Sequence, residues 1–454
     1  MHFETIEDVK KLINERDIQE IKVAATDIDG VLRGKYISKT KFFSALENGV
    51  GFCDVIFGWD SSDELYSDSK VTGWHTAYPD ALATIDINSA RELPLEENTL
   101  LFLMDFEKSS PHQEICPRTL LKRIIEYGKS LGIFFNAAAE FEFFLFDETI
   151  HSLREKNYTN LKPFTPDMFG YSMLRNSVYS DFYQELLSLC RDMDMELEGI
   201  HTETGPGVIE SAIAYDELLN AADKAELFKT FTKIFAQKKG LSATFMAKWS
   251  NDYPGQSGHL HISAKDKDSN SLFYNAKNEQ NISDIMRWFI GGQQLLMPEF
   301  LSMIAPTCNS YTRLIPGFWA PTQATWGIDN RTCAIRAIPG SIKSQRVEYR
   351  VTAADINPYI ALSAAVGSGL WGIEHKIEPT KPIQGNAYEV TLPKKFQFPR
   401  TLFDAAQRLK SSNAAKEIFG KTFVEHYAMS REWEENEQKK AITDWQLKRY
   451  FEII

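Results

Sequence analysis

The chain has little of what marks a disulfide-built, zinc-bound or membrane-bound protein. Its five cysteines, Cys53, Cys116, Cys190, Cys308 and Cys333, form an odd and widely spaced set without a C-x-x-C pair. That pattern excludes a disulfide framework and a structural zinc site, and it fits free thiols in a reducing cytosol. No G-x-x-x-x-G-K-[ST] run occurs, so a P-loop is not the device for holding phosphate. The opening MHFETIEDVKK has no apolar signal core, and the expectation is a cytoplasmic protein. The longest uncharged run, 356–373, contains Asn357, Pro358 and several small residues, which predicts a buried helix and not a membrane span. Positive charge is also short. Fifty Lys and Arg against 62 Asp and Glu give a net charge of -12, which argues against a nucleic-acid surface and against adhesion to anionic membrane. Any anionic substrate must be met by local arginine or by a metal.

At 454 residues the chain exceeds what one hydrophobic core holds, and two domains are expected. Residues 5–16 place Ile6, Val9, Leu12 and Ile13 at helical spacing, and IKVAATDIDGVLRGKYIS alternates, breaks at Asp29 and Gly30, and resumes as a hairpin. Further strands are expected over 83–86 and 99–106, with a long loop over 59–73. SSPHQEICP at 109–117 interrupts the pattern and sets the boundary between units 1–110 and 111–454. Beyond it, helices are expected over 119–131, 176–192, 215–239 and 405–454, with strands over 139–146, 195–213 and 241–263. Helices and strands intermix without an internal repeat.

Chemistry concentrates in a few stretches. In AEFEFFLF, alternation puts Glu140 and Glu142 on one strand face about 7 Å apart. Alone, the pair reads equally as a solvated strand edge. In GIHTETGPGVIE, Glu203 and Glu210 flank a turn that can bring them together, and in GQSGHLHIS, His259 and His261 share a strand face. NSYTRLIPGFWAPTQATWGIDNRTCAIR carries Arg313, Arg331 and Arg336, which are either surface charges or bidentate anion clamps. In RVEYR, alternation aligns Arg346, Glu348 and Arg350, either as a surface ion-pair ladder or as part of a site. Five glutamates and a histidine are hard ligands suited to magnesium or manganese (Mg2+ or Mn2+), and six ligands are enough for two ions. With the arginines, such a set suits phosphoryl transfer to a carboxylate.

The ordered series DIDGVLRGK, AEFEFF, HTETGPGVIE, GHLHIS, NSYTRLIPG, WGIDNRTCAIR, RVEYR and INPYIA resembles the glutamine synthetase superfamily of the bacterial class, over residues 26–359, and the tail TDWQLKRYFEII is also similar. The resemblance implies an α+β protein with a small amino-terminal β-grasp domain and a larger catalytic domain. It also implies homo-oligomeric assembly as a hexameric ring or a two-ring dodecamer, with sites between subunits. Carried over position by position, it assigns Glu142, Glu203 and Glu210 to one metal and Glu140, His259 and Glu348 to the other. Arg313, Arg350 and the Gly255 backbone match glutamate-binding positions. Arg331, Arg336 and Arg346 match positions on the phosphates, and His261 and Ser263 match the nucleotide side. The implied reaction is ATP-dependent: the glutamate γ-carboxylate attacks the γ-phosphoryl group, and an amine then displaces phosphate.

Two departures bear on the amine. Where ammonia-using members read P-G-x-E-A-P, this chain reads PGFWAP, with Trp319 in place of the acid. The ammonium-side aspartate is shifted to Asp60 in FGWDSSDE. An aromatic there favours an organic amine through apolar or cation–π contact, although flap packing explains Trp319 equally. The expectation is therefore a γ-glutamyl ligase for a polyamine, a monoamine or ethanolamine, resembling the γ-glutamylpolyamine synthetase branch. The alternatives are a glutamine synthetase using ammonia and a non-catalytic ring-forming relative. Tyr388 lies in GNAYEVTLP, which departs from the regulatory tyrosine loop of some members, so no nucleotidylation is expected there.

Overall fold

The computed structural model describes residues 1, 3–107 and 110–454. Ser109, the first residue of the expected boundary segment, lies outside them. Two sheets organise an α+β chain. The first contains β1 (Glu20–Thr26), β2 (Leu32–Ser38), β3 (Val50–Cys53), β4 (Asp80–Ile85), β5 (Arg91–Glu92) and β6 (Leu100–Phe106), in the order β2-β1-β6-β4-β3 with β5 on β6. The expected hairpin is there: β1 and β2 pair antiparallel from Glu20 opposite Ser38 to Thr26 opposite Leu32. The helix Ile6–Glu15 is capped by Thr5 and covers this sheet with Val9 and Ile13.

The second sheet contains β7 (Phe134–Phe146), β8 (Leu197–Thr202), β9 (Val208–Ile213), β10 (Asp216–Glu217), β11 (Ser242–Thr244), β12 (Gly258–Lys265), β13 (Trp326–Ile328), β14 (Ile335–Ile338) and β15 (Arg346–Tyr349). Its order is β13-β14-β15-β12-β7-β9-β8. One face of β7 is apolar, with Phe135, Ala137, Ala139, Phe141 and Phe143 buried among helices Pro117–Ser130 and Leu218–Lys238. Residues 358–374 form the buried helix expected, capped by the Asn357 side chain. It lies against helix Asp284–Leu296 at a backbone contact, where a Cβ on Gly292 would be 2.5 Å from the Gly372 Cα. Glycine at both positions is what lets the two backbones meet.

Several boundaries differ from expectation. The helix over 176–192 is two pieces, Met173–Val178 and Ser180–Asp192. Residues 216–217 pair with Ala137 and Asn136 before the next helix starts at Leu218. The stretch 241–263 is strand only at its ends, because Pro254 and the glycines around it break the alternation. The segment before helix Pro117–Ser130 holds a short helix, His112–Ile115.

The two sheets are joined by a buried ionic knot. The Arg118 guanidinium donates to Asp223 at 2.9 and 2.8 Å, and to Asp105 and Asp86 at 2.8 Å each. Asp86 and Asp105 come from the first sheet region, whereas Asp223 lies on helix Leu218–Lys238, where it also accepts from the Tyr359 hydroxyl at 2.7 Å.

Candidate active site

The polar face of the second sheet carries the candidate residues, and antiparallel register aligns them. Glu142 on β7 stands opposite Glu210 on β9, which stands opposite His201 on β8. Glu140 stands opposite His259 on β12, and His261 stands opposite Glu348 on β15, which in turn faces Arg336 on β14. Directly opposed residues project to the same side of a sheet, so one face gathers all of these side chains.

Two groups of potential ligands result. Atoms of Glu140, His261 and Glu348 lie within 4.8 Å of one another, as do atoms of His201, Glu203 and Glu210. His259 belongs with the first group: its Nδ1 is 3.3 Å from Glu140 and 3.4 Å from Glu348. The Arg346 Nε–H donates to His261 Nδ1 at 3.3 Å, which leaves the His261 ring proton on Nε2, toward Glu140. In this tautomer the His261 Nε2–H points toward Glu140 from 3.6 Å, beyond hydrogen-bond distance. The Nε2 atoms of His259 and His261 are both buried without a hydrogen-bond partner among the described residues. Glu142 is turned toward Ser257, accepting from its N–H at 3.1 Å and its hydroxyl at 2.5 Å.

The charges on this face interact strongly. Burial, and then the neighbouring Glu210, pushes the Glu142 carboxyl up to about 8. Burial also works to raise Glu140, but His259 and His261 overcome it and hold that carboxyl well below the usual range. Glu348 is held down at about 2, burial being outweighed by His259, Arg350, His261 and Arg336. Groups dominated by carboxylate oxygens fit magnesium or manganese, and a cation between Glu142 and Glu210 would remove their mutual repulsion.

The arginines separate into classes. Arg336 is fixed, donating to Glu348 at 2.9 Å and to Asp329 at 3.1 and 2.5 Å. Arg350 also donates to Glu348, so the VEYR part of RVEYR is buried and the run is not a surface ladder. Arg313 is buried, donates to the Val351 carbonyl at 2.8 Å and lies against Gly255, where a Cβ would be 2.7 Å from the Arg313 Cγ. Arg331 is exposed. Beside the first group opens a cavity of about 690 Å³ lined by Glu140, Tyr215, His261, Ser263, Lys343 and Arg346.

The two amine-side candidates stand apart. Trp319 is 57% exposed on the flap, at φ +58°. Asp60 is buried beyond the first sheet: its Oδ1 accepts from the Ser62 and Glu64 N–H groups and its Oδ2 from the Trp433 ring N–H, and these bonds are not to the carboxylate groups above.

Sequence reasoning missed His201 and Tyr171. The His201 Nε2 lies 3.1 Å from Glu210; burial lowers its pKa, but Glu210 and the Thr202 carbonyl prevail and lift it to about 8. Tyr171 stacks on the His201 ring with centroids 4.3 Å apart. For His201 the signal was present, since H-T-E puts His201 and Glu203 at i and i+2; for Tyr171 there was none.

The model of the glutamine synthetase catalytic domain matches residues 114–450. The chain belongs to the glutamine synthetase family. It is 46% identical over 440 residues to "Type-1 glutamine synthetase 2" of Dictyostelium discoideum, covering 96% of this chain and 84% of that protein. It is 37% identical to the glutamate–isopropylamine ligase of a Pseudomonas species, over 98% of both chains. Gamma-glutamylethanolamide synthetase of Streptomyces coelicolor is 34% identical, over 98% of this chain and 96% of that one. The solved structure of apo GmaS without ligand superposes with a TM-score of 0.85 at 25% identity, covering 98% of this chain and all of that one. This glutamine synthetase relative is accordingly an ATP- and divalent-metal-dependent ligase. No helix among the described residues is long and apolar enough to cross a membrane.

Proposed function

We propose that the chain joins glutamate to an organic amine, with ATP hydrolysis to ADP and phosphate, through γ-glutamyl phosphate. The observation that carries the reading is Trp319, an exposed aromatic on the flap where ammonia-using members resembling this chain carry an acid. The names of two full-length relatives, which specify isopropylamine and ethanolamide, support it. In this reading Glu142, Glu203 and Glu210 hold one divalent ion, and Glu140, His259 and Glu348 a second. Such ions, when bound, neutralise phosphate and carboxylate charge. His261, Ser263 and Arg346 border the nucleotide, Arg331 and Arg336 meet the transferring phosphoryl group, and Arg313, Arg350 and the Gly255 backbone hold glutamate.

The γ-carboxylate oxygen forms the new bond to phosphorus as ADP leaves; the neutral amine nitrogen then attacks the acyl carbon, phosphate leaves, and the nitrogen gives up a proton to the departing phosphate. Arg336 is preorganised for this by Glu348 and Asp329, so its guanidinium need not reorganise as charge develops. Within one chain Asp60 caps its own loop. Its part on the amine side requires a neighbouring copy, which is why we propose a hexameric ring or dodecamer built from units 1–110 and 111–454. Five free cysteines suit a cytoplasmic setting.

The decisive assay is glutamate-dependent ADP release with magnesium and a panel of amines, with the γ-glutamyl amide identified by mass spectrometry. The second reading, glutamine synthesis from ammonia, is favoured by the 46% identity to a protein named a glutamine synthetase. Faster turnover with ammonia than with every organic amine would establish it instead.

A further inference from the structure

The loop and short helix over 168–178, MFGYSMLRNSV, are unusual for a surface. Met168, Phe169, Tyr171, Met173, Leu174 and Val178 are each more than half exposed. The stretch holds no carboxylate, and its one charge is Arg175, whose guanidinium lies 5.8 Å from the Phe169 ring centroid. An apolar run of this density on a surface marks a binding surface.

Its position is fixed against the carboxylates. The Tyr171 N–H donates to the Thr202 carbonyl at 2.7 Å, the Ser172 N–H to the Thr202 hydroxyl oxygen at 2.9 Å, and that hydroxyl donates to the Phe169 carbonyl at 3.0 Å. Thr202 is the residue before Glu203. A Cβ on Gly170 would sit 3.9 Å from the Glu203 Oε2, so the loop passes directly over that carboxylate. The Tyr171 ring, stacked on His201, extends the apolar surface to the Glu210 side. The chain thus supplies a wall beside one ligand group that offers hydrophobic contact and, through Arg175, repels a second cation.

We infer that the amine acceptor is an apolar monoamine, one amino group on an alkyl or arylalkyl chain, and that Phe169 is a specificity-determining residue for its substituent. This rests on the ligase reading above and narrows it. A diamine of equal length would press its second ammonium against Met, Phe and Leu side chains beside a guanidinium, and the carboxylate under the loop, Glu203, is one of the proposed metal ligands.

The test compares kcat/KM of the full chain for methylamine, n-butylamine, 1,4-diaminobutane and ethanolamine, with ammonia as reference. The expected result is a rise of up to about fourfold per added methylene, the limit for full burial, with n-butylamine well ahead of 1,4-diaminobutane. Phe169→Ala should lower the ratio of n-butylamine to methylamine kcat/KM by about threefold or more. A flat series, or preference for the diamine or ethanolamine, overturns the inference while leaving the ligase reading in place; the amine series on the unmodified chain decides this even if the variant fails to fold. A Phe169→Ala protein with an unchanged amine ratio but a smaller mass by sedimentation assigns the patch to a second copy, and overturns it too. Absence of glutamate-dependent ADP release with every amine and with ammonia removes the ligase reading itself, and this inference with it.

Discussion

Glu142 gives the sharpest test of the claim that cations belong on this sheet face. Its carboxyl is raised from the ordinary 4.5 to about 8 by burial and by Glu210. Between those values the folded chain holds a proton that the unfolded chain has released, so in metal-free protein stability falls as pH rises from about 4.5 to about 8. At pH 7 the full linkage would be roughly 3 kcal/mol, and solvent access to the half-buried side chain reduces it to about 2. Glu142→Gln removes this penalty and loses about 1 kcal/mol where an amide N–H meets the Ser257 donors. The variant should therefore be equal to or more stable than the unmodified chain at pH 8 in chelator, and less stable below pH 5. For a cooperative unit of this length 1 kcal/mol corresponds to about 1 °C in Tm. Added magnesium should stabilise the unmodified chain at pH 8 by more than it stabilises the variant, because the cation relieves the Glu142–Glu210 repulsion. Other raised groups, such as Glu226 and Asp27, titrate in the same window and cancel in the difference. Differential scanning fluorimetry across pH 4.5–8.5, with chelator or magnesium, reads both effects. A variant that is less stable than the unmodified chain in chelator at pH 8, with equal magnesium rescue, would refute the reasoning.

Three further outcomes are expected. Arg118→Met leaves Asp86, Asp105 and Asp223 without their shared partner and should cost about 3–5 kcal/mol by denaturant unfolding; a change under 1 kcal/mol would mean the knot does not couple the sheets. Gly255→Ala places a methyl 2.6 Å from the Ala247 carbonyl and 2.7 Å from the Arg313 Cγ, and should raise the glutamate KM by about tenfold or more while the ATP Kd holds; equal loss of both would detach Gly255 from the glutamate end. Trp319→Glu should shift the ratio of ammonia to organic-amine kcat/KM toward ammonia by about tenfold, and an unchanged ratio would make the tryptophan mere flap packing.

Strands with one buried face were legible from the residues. Alternation in AEFEFFLF correctly put Glu140 and Glu142 on the polar side of β7, and the break at Asp29 and Gly30 located the first hairpin. Register was not legible, because it depends on pairing between segments far apart in the chain. Nothing in HTETGP says that His201 lies opposite Glu210. The depth of Glu348 was equally hidden: from its residues RVEYR reads as a surface ladder or as part of a site, and β15 between β12 and β14 in the middle of the sheet decides for the buried position. The apolar residues over 168–178 gave no sign of facing outward; their exposure shows it, and the bonds to Thr202 place the loop beside the carboxylates.

Residues 255, 257, 259, 261 and 263 show how one stretch orders the whole site. Gly255 lies against Arg313, Ser257 donates to Glu142, His259 reaches Glu140 and Glu348, His261 accepts from Arg346, and Ser263 lines the cavity beside it. Period-two alternation along β12 explains why His259, His261 and Ser263 and not their neighbours do so, and Gly255 and Ser257 lie in the segment that leads into the strand. The run reaches from the proposed glutamate end to the proposed nucleotide end. Gly258 and Leu260, the out-of-phase residues, face Phe141 and the core. The core therefore fixes the phase, and the phase fixes the order of the chemistry. The proposed glutamate arginine, the two ligand groups and the proposed nucleotide cavity lie in sequence along β12 and the residues leading into it because the strand can bury Leu260 and Ile262 in only one register.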